Sequence, residues 1–105
     1  MMSSMSEQRD NMPAAGEFPA DVEVYSTPLC SYCARALRLL RDKGARTRTI
    51  NVAFNSRRQA EMMERARGSH TVPQIFINGA HIGGSDELAA LERAGKLDVL
   101  LAASS

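Results

Sequence analysis

The two cysteines of the chain lie three positions apart, in the segment Cys30-Ser31-Tyr32-Cys33. A strand pattern precedes this segment and a helical pattern begins with it. A C-x-x-C pair in that setting is typical of a redox-active dithiol rather than of a structural site. One helical turn also brings the two sulfur atoms close enough to bond. The sequence therefore predicts thiol–disulfide chemistry at this point of the chain.

Cys30 is predicted to be the nucleophile because it lies where the helix begins. The unpaired backbone N–H groups of a first helical turn, together with the positive end of the helix dipole, stabilise a thiolate over a thiol. Cysteines in such positions have pKa values of roughly 3.5–7.5 instead of about 8.5. Cys33 lies one turn further along on the apolar face, so we expect it to stay protonated and to react second.

Two other interpretations use the same residues. A zinc site would have to add His70 and His81, but zinc fingers place the first histidine roughly 12 residues after the C-x-x-C pair and separate their histidines by 3–5 residues. Here 36 residues separate Cys33 from His70, and ten separate the two histidines. Both cysteines could instead be inert core residues, since free cysteine is commonly buried. The spacing disfavours zinc, and the position at a helix start disfavours an inert pair.

Hydrophobic periodicity predicts the elements that position this pair. Strands are predicted at 22–26, 47–52, 74–77 and 80–82, the last two joined by the turn Asn78-Gly79. Helices are predicted at 30–43, 56–67 and 85–94, with a terminal helix after Gly95. The order β-α-β-α-β-β-α plus a terminal helix predicts an α/β fold, in which helices flank a small mixed sheet.

Two serines are predicted to begin helices. Ser56 is followed three residues later by Gln59, which is a capping-box pattern. Ser85 is followed by Asp86 and Glu87, and acidic residues stabilise a first helical turn.

Length and composition predict one small domain. The chain has 105 residues, of which 44% are hydrophobic and 24% charged, and this excludes wholesale disorder. Residues 1–20 show neither helical nor strand periodicity, so we expect a flexible tail at 1–20 and a folded domain at 21–103. No apolar run approaches the roughly 20 residues of a membrane span, and no secretory signal is visible. We therefore expect a cytoplasmic protein with no membrane partner.

The middle of the chain is basic. Residues 30–68 contain ten lysines and arginines but three acidic residues. Such a surface could attract a nucleic-acid backbone. However, no aromatic-rich stacking surface accompanies these residues, so we expect no nucleic-acid partner and expect the arginines to cover the outer faces of two helices.

Three segments of the chain resemble the glutaredoxin family, and most of all its short dithiol, glutaredoxin-3-like members from bacteria. The segments are Tyr25–Cys33, Thr71–Ile77 and His81–Asp86. The resemblance implies a thioredoxin-like fold and a glutathione-dependent enzyme that reduces protein–glutathione mixed disulfides and protein disulfides. In that reaction Cys30 attacks the mixed disulfide and retains glutathione, which a second glutathione or Cys33 then displaces.

The resemblance also implies where glutathione binds. The residues concerned are Tyr32, Thr71, Val72, Pro73, Gly84, Ser85 and Asp86. The peptide bond before Pro73 is expected to be cis, and the backbone of Val72 to bind the cysteinyl part of glutathione. N–H groups at the predicted helix start would hold the γ-glutamyl carboxylate, and Asp86 would pair with the ammonium group.

The chain departs from the family pattern at two positions. Ser31 replaces a proline found in many members, and some members with C-S-Y-C hold a [2Fe–2S] cluster between two subunits. The alternative function is therefore an iron–sulfur carrier or redox sensor in which Cys30 is the ligand of a cluster-bridged dimer; otherwise we expect a monomer without a tightly bound cofactor. Thr27 replaces a lysine that would hold the glycyl carboxylate of glutathione. Candidate substitutes are Arg57, Arg58 and Arg67.

Overall fold

The computed structural model describes residues 18–104 and has the predicted element order. The strands are β1 (Asp21–Ser26), β2 (Arg46–Asn51), β3 (Gln74–Ile77) and β4 (Ala80–Gly83). The helices are α1 (Ser31–Lys43), α2 (Ser56–Arg65), α3 (Ser85–Arg93) and α4 (Leu97–Ala102). The strand order is β2-β1-β3-β4, with β1 and β2 parallel and the other pairs antiparallel. The predicted four-stranded mixed sheet is confirmed.

The central strands β1 and β3 are buried on both faces of the sheet. Alternate side chains of a strand point to opposite faces, and the two hydrophobic clusters follow that alternation. Val24 and Ile75 pack on one face with residues of α1, α3 and α4. Tyr25 and Phe76, the next residue of each strand, pack on the other face with Met62 of α2. The sheet is therefore a rigid layer between helices, and the loops that follow β1 and precede β3 start from fixed positions.

An ion-pair network ties α2 to β1. Arg65 donates to the Glu23 carboxylate at 2.8 Å and to the Tyr25 hydroxyl at 2.7 Å. The hydrogen bond from Arg65 to Glu23, together with the charges of Arg65 and Arg48, holds the pKa of Glu23 below its usual range, whereas burial raises the pKa of Tyr25. The Tyr25 hydroxyl in turn donates to Glu61. The expectation that the arginines cover outer helix faces is thus wrong for Arg65, which reaches back onto the sheet.

Ser56 and Ser85 begin helices as predicted, but neither of them is the cap residue that its pattern suggests. Asn55 caps α2, its side-chain oxygen accepting the Arg58 N–H at 3.1 Å, and Ser56 is the first helical residue. Gly84 is the cap of α3, and Ser85 is again the first helical residue. In each case an Asn or Gly precedes the serine, and both residue types are themselves favoured at the cap position.

The folded domain begins before residue 21. Phe18 is only 7% exposed and Ala20 is fully buried, and both belong to the larger hydrophobic cluster. The Ala20 N–H also donates to the Leu101 carbonyl at 3.2 Å. Residues 18–20 therefore pack with the domain although the tail was expected to include them. Residues 1–17 lie outside the described part of the chain, so the tail itself stays a prediction.

We expect Phe18→Ala to destabilise the protein by about 3 kcal/mol, because removing a buried phenylalanine side chain leaves a cavity in the core. Urea unfolding followed by circular dichroism measures the change. Phe54→Ala is the matched control: Phe54 is fully exposed, so its removal should change the free energy of unfolding by less than about 0.5 kcal/mol. Equal effects of the two substitutions would show that Phe18 does not contribute to the core.

No helix among residues 18–104 is both long enough and apolar enough to cross a membrane.

Candidate active site

Cys30 is the N-cap residue of α1. Its backbone is extended, with φ −110° and ψ 112°, and its Sγ accepts the Cys33 N–H at 3.2 Å. Leu29, the residue before it, is fully exposed and has a φ of 60°, a conformation that is uncommon for a bulky residue. The turn after β1 thus delivers Cys30, half-buried, to the positive end of a 13-residue helix, where a backbone donor points at its sulfur.

Cys33 is buried behind Cys30, with 2% of its surface exposed, and neither cysteine is in a disulfide. Burial, followed by its hydrogen bond with Cys30, raises the pKa of the Cys33 thiol from the ordinary 9.0 to about 11. The side chain is therefore protonated at neutral pH. This is the state that the sequence predicts for a thiol that reacts second.

A groove of about 210 Å³ lies beside the start of α1. The residues that line it are Tyr32, Thr71, Val72, Pro73, Gly84, Ser85, Asp86 and Glu87. These include all seven residues to which the resemblance assigns glutathione binding. The structure thus brings together three segments that are separated in the sequence. Cys30 and Cys33 do not line the groove themselves, and Tyr32 connects it to the cysteine pair.

One wall of the groove is the start of α3. The N-cap residue Gly84 donates its N–H to the Glu87 carboxylate at 2.7 Å. The Ser85 hydroxyl is buried, and it has no hydrogen-bond partner among the described residues. A buried hydroxyl without a partner costs free energy, and the following N–H groups of a first helical turn have no partner within the helix. This end of α3 is therefore suited to receive an acceptor such as a carboxylate.

The opposite wall is the loop between α2 and β3. The peptide bond between Val72 and Pro73 is cis, as the resemblance implies. The two walls approach each other closely, since a Cβ atom built on Gly84 would lie 3.4 Å from the Pro73 carbonyl oxygen and 3.3 Å from the Glu87 carboxylate. A larger residue at position 84 would thus press against both the loop and the carboxylate that bonds to its own N–H.

Asp86 and Tyr32 share a neighbour, Arg35. The Arg35 guanidinium lies 3.9 Å from the Asp86 carboxylate and 5.2 Å from the centre of the Tyr32 ring. The side chains of Arg35 and Asp86 are largely exposed, so this ion pair is weak. Asp86 consequently keeps a carboxylate available at the mouth of the groove.

The structure places none of the three candidate arginines at the groove. Arg58 pairs with Glu61 at 3.0 Å on the surface of α2. Arg67 lines a different cavity, together with Phe76 and His81. Arg57 is exposed on α2 and does not line the groove either. A substitute for the lysine that Thr27 replaces is therefore not identified among them.

Among residues 18–104, no three His, Cys, Asp or Glu side chains form a group that could hold a metal ion. His81 bonds instead to the Gln74 side chain at 2.7 Å and packs on the Phe76 ring, with 5.1 Å between ring centres. The donor set therefore does not fit a zinc ion, and of a [2Fe–2S] cluster it could supply only the Cys30 sulfur.

Sequence reasoning missed two contributions to the groove. Glu87 lines it and accepts the N–H of the cap residue Gly84. The spacing from Gly84 to Glu87 is that of a capping box, but a glycine at the cap conceals the pattern. Gln74 is buried directly behind Pro73 and bonds to the loop. Nothing in the local sequence signals that role, because it depends on contacts made only in the fold.

Sequence comparisons with known proteins all match one family. The family model described as Glutaredoxin matches residues 22–82. A glutaredoxin of Pseudomonas aeruginosa is 50% identical over 82 residues, which cover 78% of this chain and 96% of that protein. Glutaredoxin 3 of Escherichia coli is 46% identical over 82 residues, covering 78% of this chain and 98% of that protein.

Solved structures give the same result. The solution structure of a glutaredoxin from Brucella melitensis is 52% identical, with a TM-score of 0.68, and the match covers 77% of this chain and 87% of that one. A crystal structure of a buckwheat glutaredoxin–glutathione complex is 31% identical, with a TM-score of 0.70, and the match covers 95% of this chain and 89% of that one.

Proposed function

The chain belongs to the glutaredoxin family of thiol–disulfide oxidoreductases and has their thioredoxin-like fold, and we propose that it uses glutathione to reduce protein–glutathione mixed disulfides and protein disulfides. The observation that carries this proposal is the groove, which gathers seven residues from three separate segments beside the cysteine pair. The match to a glutaredoxin–glutathione complex adds support for glutathione as the ligand.

The chemistry starts at Cys30. Its thiolate attacks the glutathione sulfur of the mixed disulfide; a new sulfur–sulfur bond forms, the old one breaks, and the client leaves as a thiolate that takes a proton from water. The groove orients this attack if it holds the glutathione half of the substrate, because the client half then becomes the leaving group. The first step therefore oxidises Cys30 and reduces the client.

Two routes return Cys30 to its thiolate. In the first, a second glutathione thiolate attacks the glutathione bound to Cys30, and glutathione disulfide leaves. In the second, Cys33 attacks the Cys30 sulfur, releases glutathione and leaves an internal disulfide that further glutathione reduces. The second route requires the Cys33 thiol to lose a proton, and burial, the largest cause of its raised pKa, persists once Cys30 carries glutathione and disfavours that loss at neutral pH. External glutathione should therefore carry most turnovers of mixed disulfides.

We propose that the protein works in the cytoplasm as a monomer, with glutathione as co-substrate and with disulfide-containing or glutathionylated proteins as clients. We do not propose the cluster-binding alternative, because no feature of residues 18–104 favours Cys30 as a cluster ligand over Cys30 as a nucleophile.

A coupled assay tests the proposal. A glutathionylated peptide, reduced glutathione, glutathione reductase and NADPH are mixed, and NADPH oxidation is followed with and without the protein. We expect the protein to accelerate NADPH oxidation in proportion to its concentration. No acceleration over the reaction of glutathione alone would contradict the proposal.

We expect Asp86→Ala to raise the KM for the glutathionylated peptide about fivefold, which corresponds to about 1 kcal/mol for an exposed ion pair. The melting temperature should change little, because the Asp86 side chain is 82% exposed. Asp42→Ala is the matched control, since Asp42 is an exposed acid in α1 that does not line the groove. A KM equal to that of Asp42→Ala would remove Asp86 from the binding site.

A further inference from the structure

The buried side chain of Gln74 holds the loop that forms one wall of the groove. Gln74 is the first residue of β3 and is 3% exposed. Its amide nitrogen lies 2.9 Å from the Ser69 hydroxyl, 3.0 Å from the Thr71 carbonyl oxygen and 3.2 Å from the Thr71 hydroxyl. Its amide oxygen lies 2.7 Å from Nε2 of His81. Both ends of the amide are therefore bonded.

The partners fix the orientation of this amide. The Thr71 carbonyl can only accept a hydrogen bond, so the Gln74 nitrogen must face the loop and its oxygen must face His81. Nε2 of His81 must then carry the hydrogen that it donates. The His81 ring packs on Phe76 at 5.1 Å, and the Arg65 guanidinium lies 4.1 Å from the centre of the Phe76 ring. His81, which donates to the Gln74 amide oxygen, is thus itself held in place by packing.

The loop has few backbone hydrogen bonds, although Val72 packs against the hydrophobic cluster of Tyr25 and Phe76. Outside the helices and strands, no backbone–backbone hydrogen bond of the described residues involves positions 70–73. Thr71 and Val72 nevertheless line the groove, and Val72 is the residue whose backbone is proposed to bind glutathione. Because loop backbone without regular hydrogen bonds is free to move, the bonds from Gln74 replace those that secondary structure would supply.

We propose that Gln74 is a positioning residue for glutathione: it holds the 69–73 loop in the shape that binds the peptide backbone of glutathione, and His81 fixes the direction of its amide. This inference rests on the proposed function, because it concerns the same groove. It assigns Gln74 and His81 to substrate affinity and leaves the thiol chemistry to Cys30.

The decisive variant is Gln74→Glu. A carboxylate of the same shape still accepts from His81 but cannot donate to the Thr71 carbonyl. We expect the KM for the glutathionylated peptide to rise about tenfold, which corresponds to about 1.4 kcal/mol, while kcat and the alkylation rate of Cys30 stay at the wild-type values. A residue that only stabilised the fold would lower the melting temperature without this separation of KM from kcat.

Gln59→Leu is the matched control. The Gln59 amide donates to the Val52 carbonyl at 2.8 Å, so this variant also removes a bond between a glutamine side chain and a backbone carbonyl. Gln59 does not line the groove. We expect Gln59→Leu to lower the melting temperature and to keep the wild-type KM. An equal rise of KM in this control would overturn the assignment of Gln74.

A third variant keeps the test decisive if Gln74→Glu does not fold. His81 is exposed, and His81→Phe retains the ring contact with Phe76 while it removes the donor to Gln74. We expect a smaller rise of the KM, about threefold. A wild-type KM in His81→Phe, and in Gln74→Glu if that variant folds, would overturn the inference. It would leave the proposed function intact, because the wild-type protein would still reduce the peptide. A wild-type protein without activity would instead overturn the proposed function.

Discussion

Replacing Cys30 by serine is expected to lower the rate of glutathionyl transfer on the order of a thousandfold, whereas Cys33→Ser should retain the reduction of glutathione mixed disulfides. A serine hydroxyl is not ionised at neutral pH and forms no sulfur–sulfur bond, so no intermediate can form without Cys30. Cys33 enters only the second route of release, and its raised pKa already makes that route slow. The coupled assay with a glutathionylated peptide measures both variants.

The two substrates separate the roles of the cysteines further. A client with an internal disulfide forms a mixed disulfide with Cys30, and Cys33 is the thiol placed to resolve it, since the Cys33 side chain is within hydrogen-bonding reach of Cys30. Cys33→Ser should therefore lose more activity towards protein disulfides than towards glutathione mixed disulfides. Equal loss from Cys30→Ser and Cys33→Ser on the mixed disulfide would contradict the assigned roles.

The order of elements could be predicted because local signals agree with the fold. The alternation in β1, the turn at Asn78-Gly79 and the helix stop at Gly44 each act through neighbouring residues. Gly44, for example, ends α1 with a φ of 76° and donates to the carbonyls of Leu40 and Arg41. Such signals are contained in a few adjacent positions, so a single sequence reveals them.

The cap residues and the domain boundary could not be predicted in the same way. Asn55 and Ser56 are both favoured cap residues, and the local sequence does not decide between them; in the structure Asn55 has the extended backbone of a cap, with φ −131° and ψ 92°. Phe18 lies in a segment without periodicity, and its burial depends on α4, which follows it by about eighty residues. Contacts between distant segments leave no local pattern, so the sequence alone does not reveal them.

In the groove, some residues could be predicted from the sequence and others could not. The resemblance identifies its seven residues segment by segment, and the fold brings them together. The support of the 69–73 loop by Gln74 and His81 is visible only once β3 and β4 are paired, because the register places His81 opposite Phe76 and next to the Gln74 side chain. Residues that line the groove are thus easier to predict than residues that hold the groove in shape.

The raised pKa of Cys33 also predicts how the stability of the folded protein changes with pH. The pKa of Cys33 is higher in the folded protein, about 11, than the ordinary value of 9.0. The unfolded chain therefore loses this proton first as the pH rises. The contribution of the buried thiol to stability is fully present below about pH 9 and is lost as the pH rises towards 11.

We expect iodoacetamide at pH 7 to modify the reduced, folded protein once, at Cys30. A thiol with a pKa of about 11 is ionised in about one molecule in ten thousand at pH 7, and Cys33 is also only 2% exposed. Mass spectrometry of the intact protein and of its peptides counts and locates the adducts. Urea-unfolded protein is the control and should carry two adducts. A first adduct at Cys33 in the folded protein would show that the nucleophile has been assigned to the wrong cysteine.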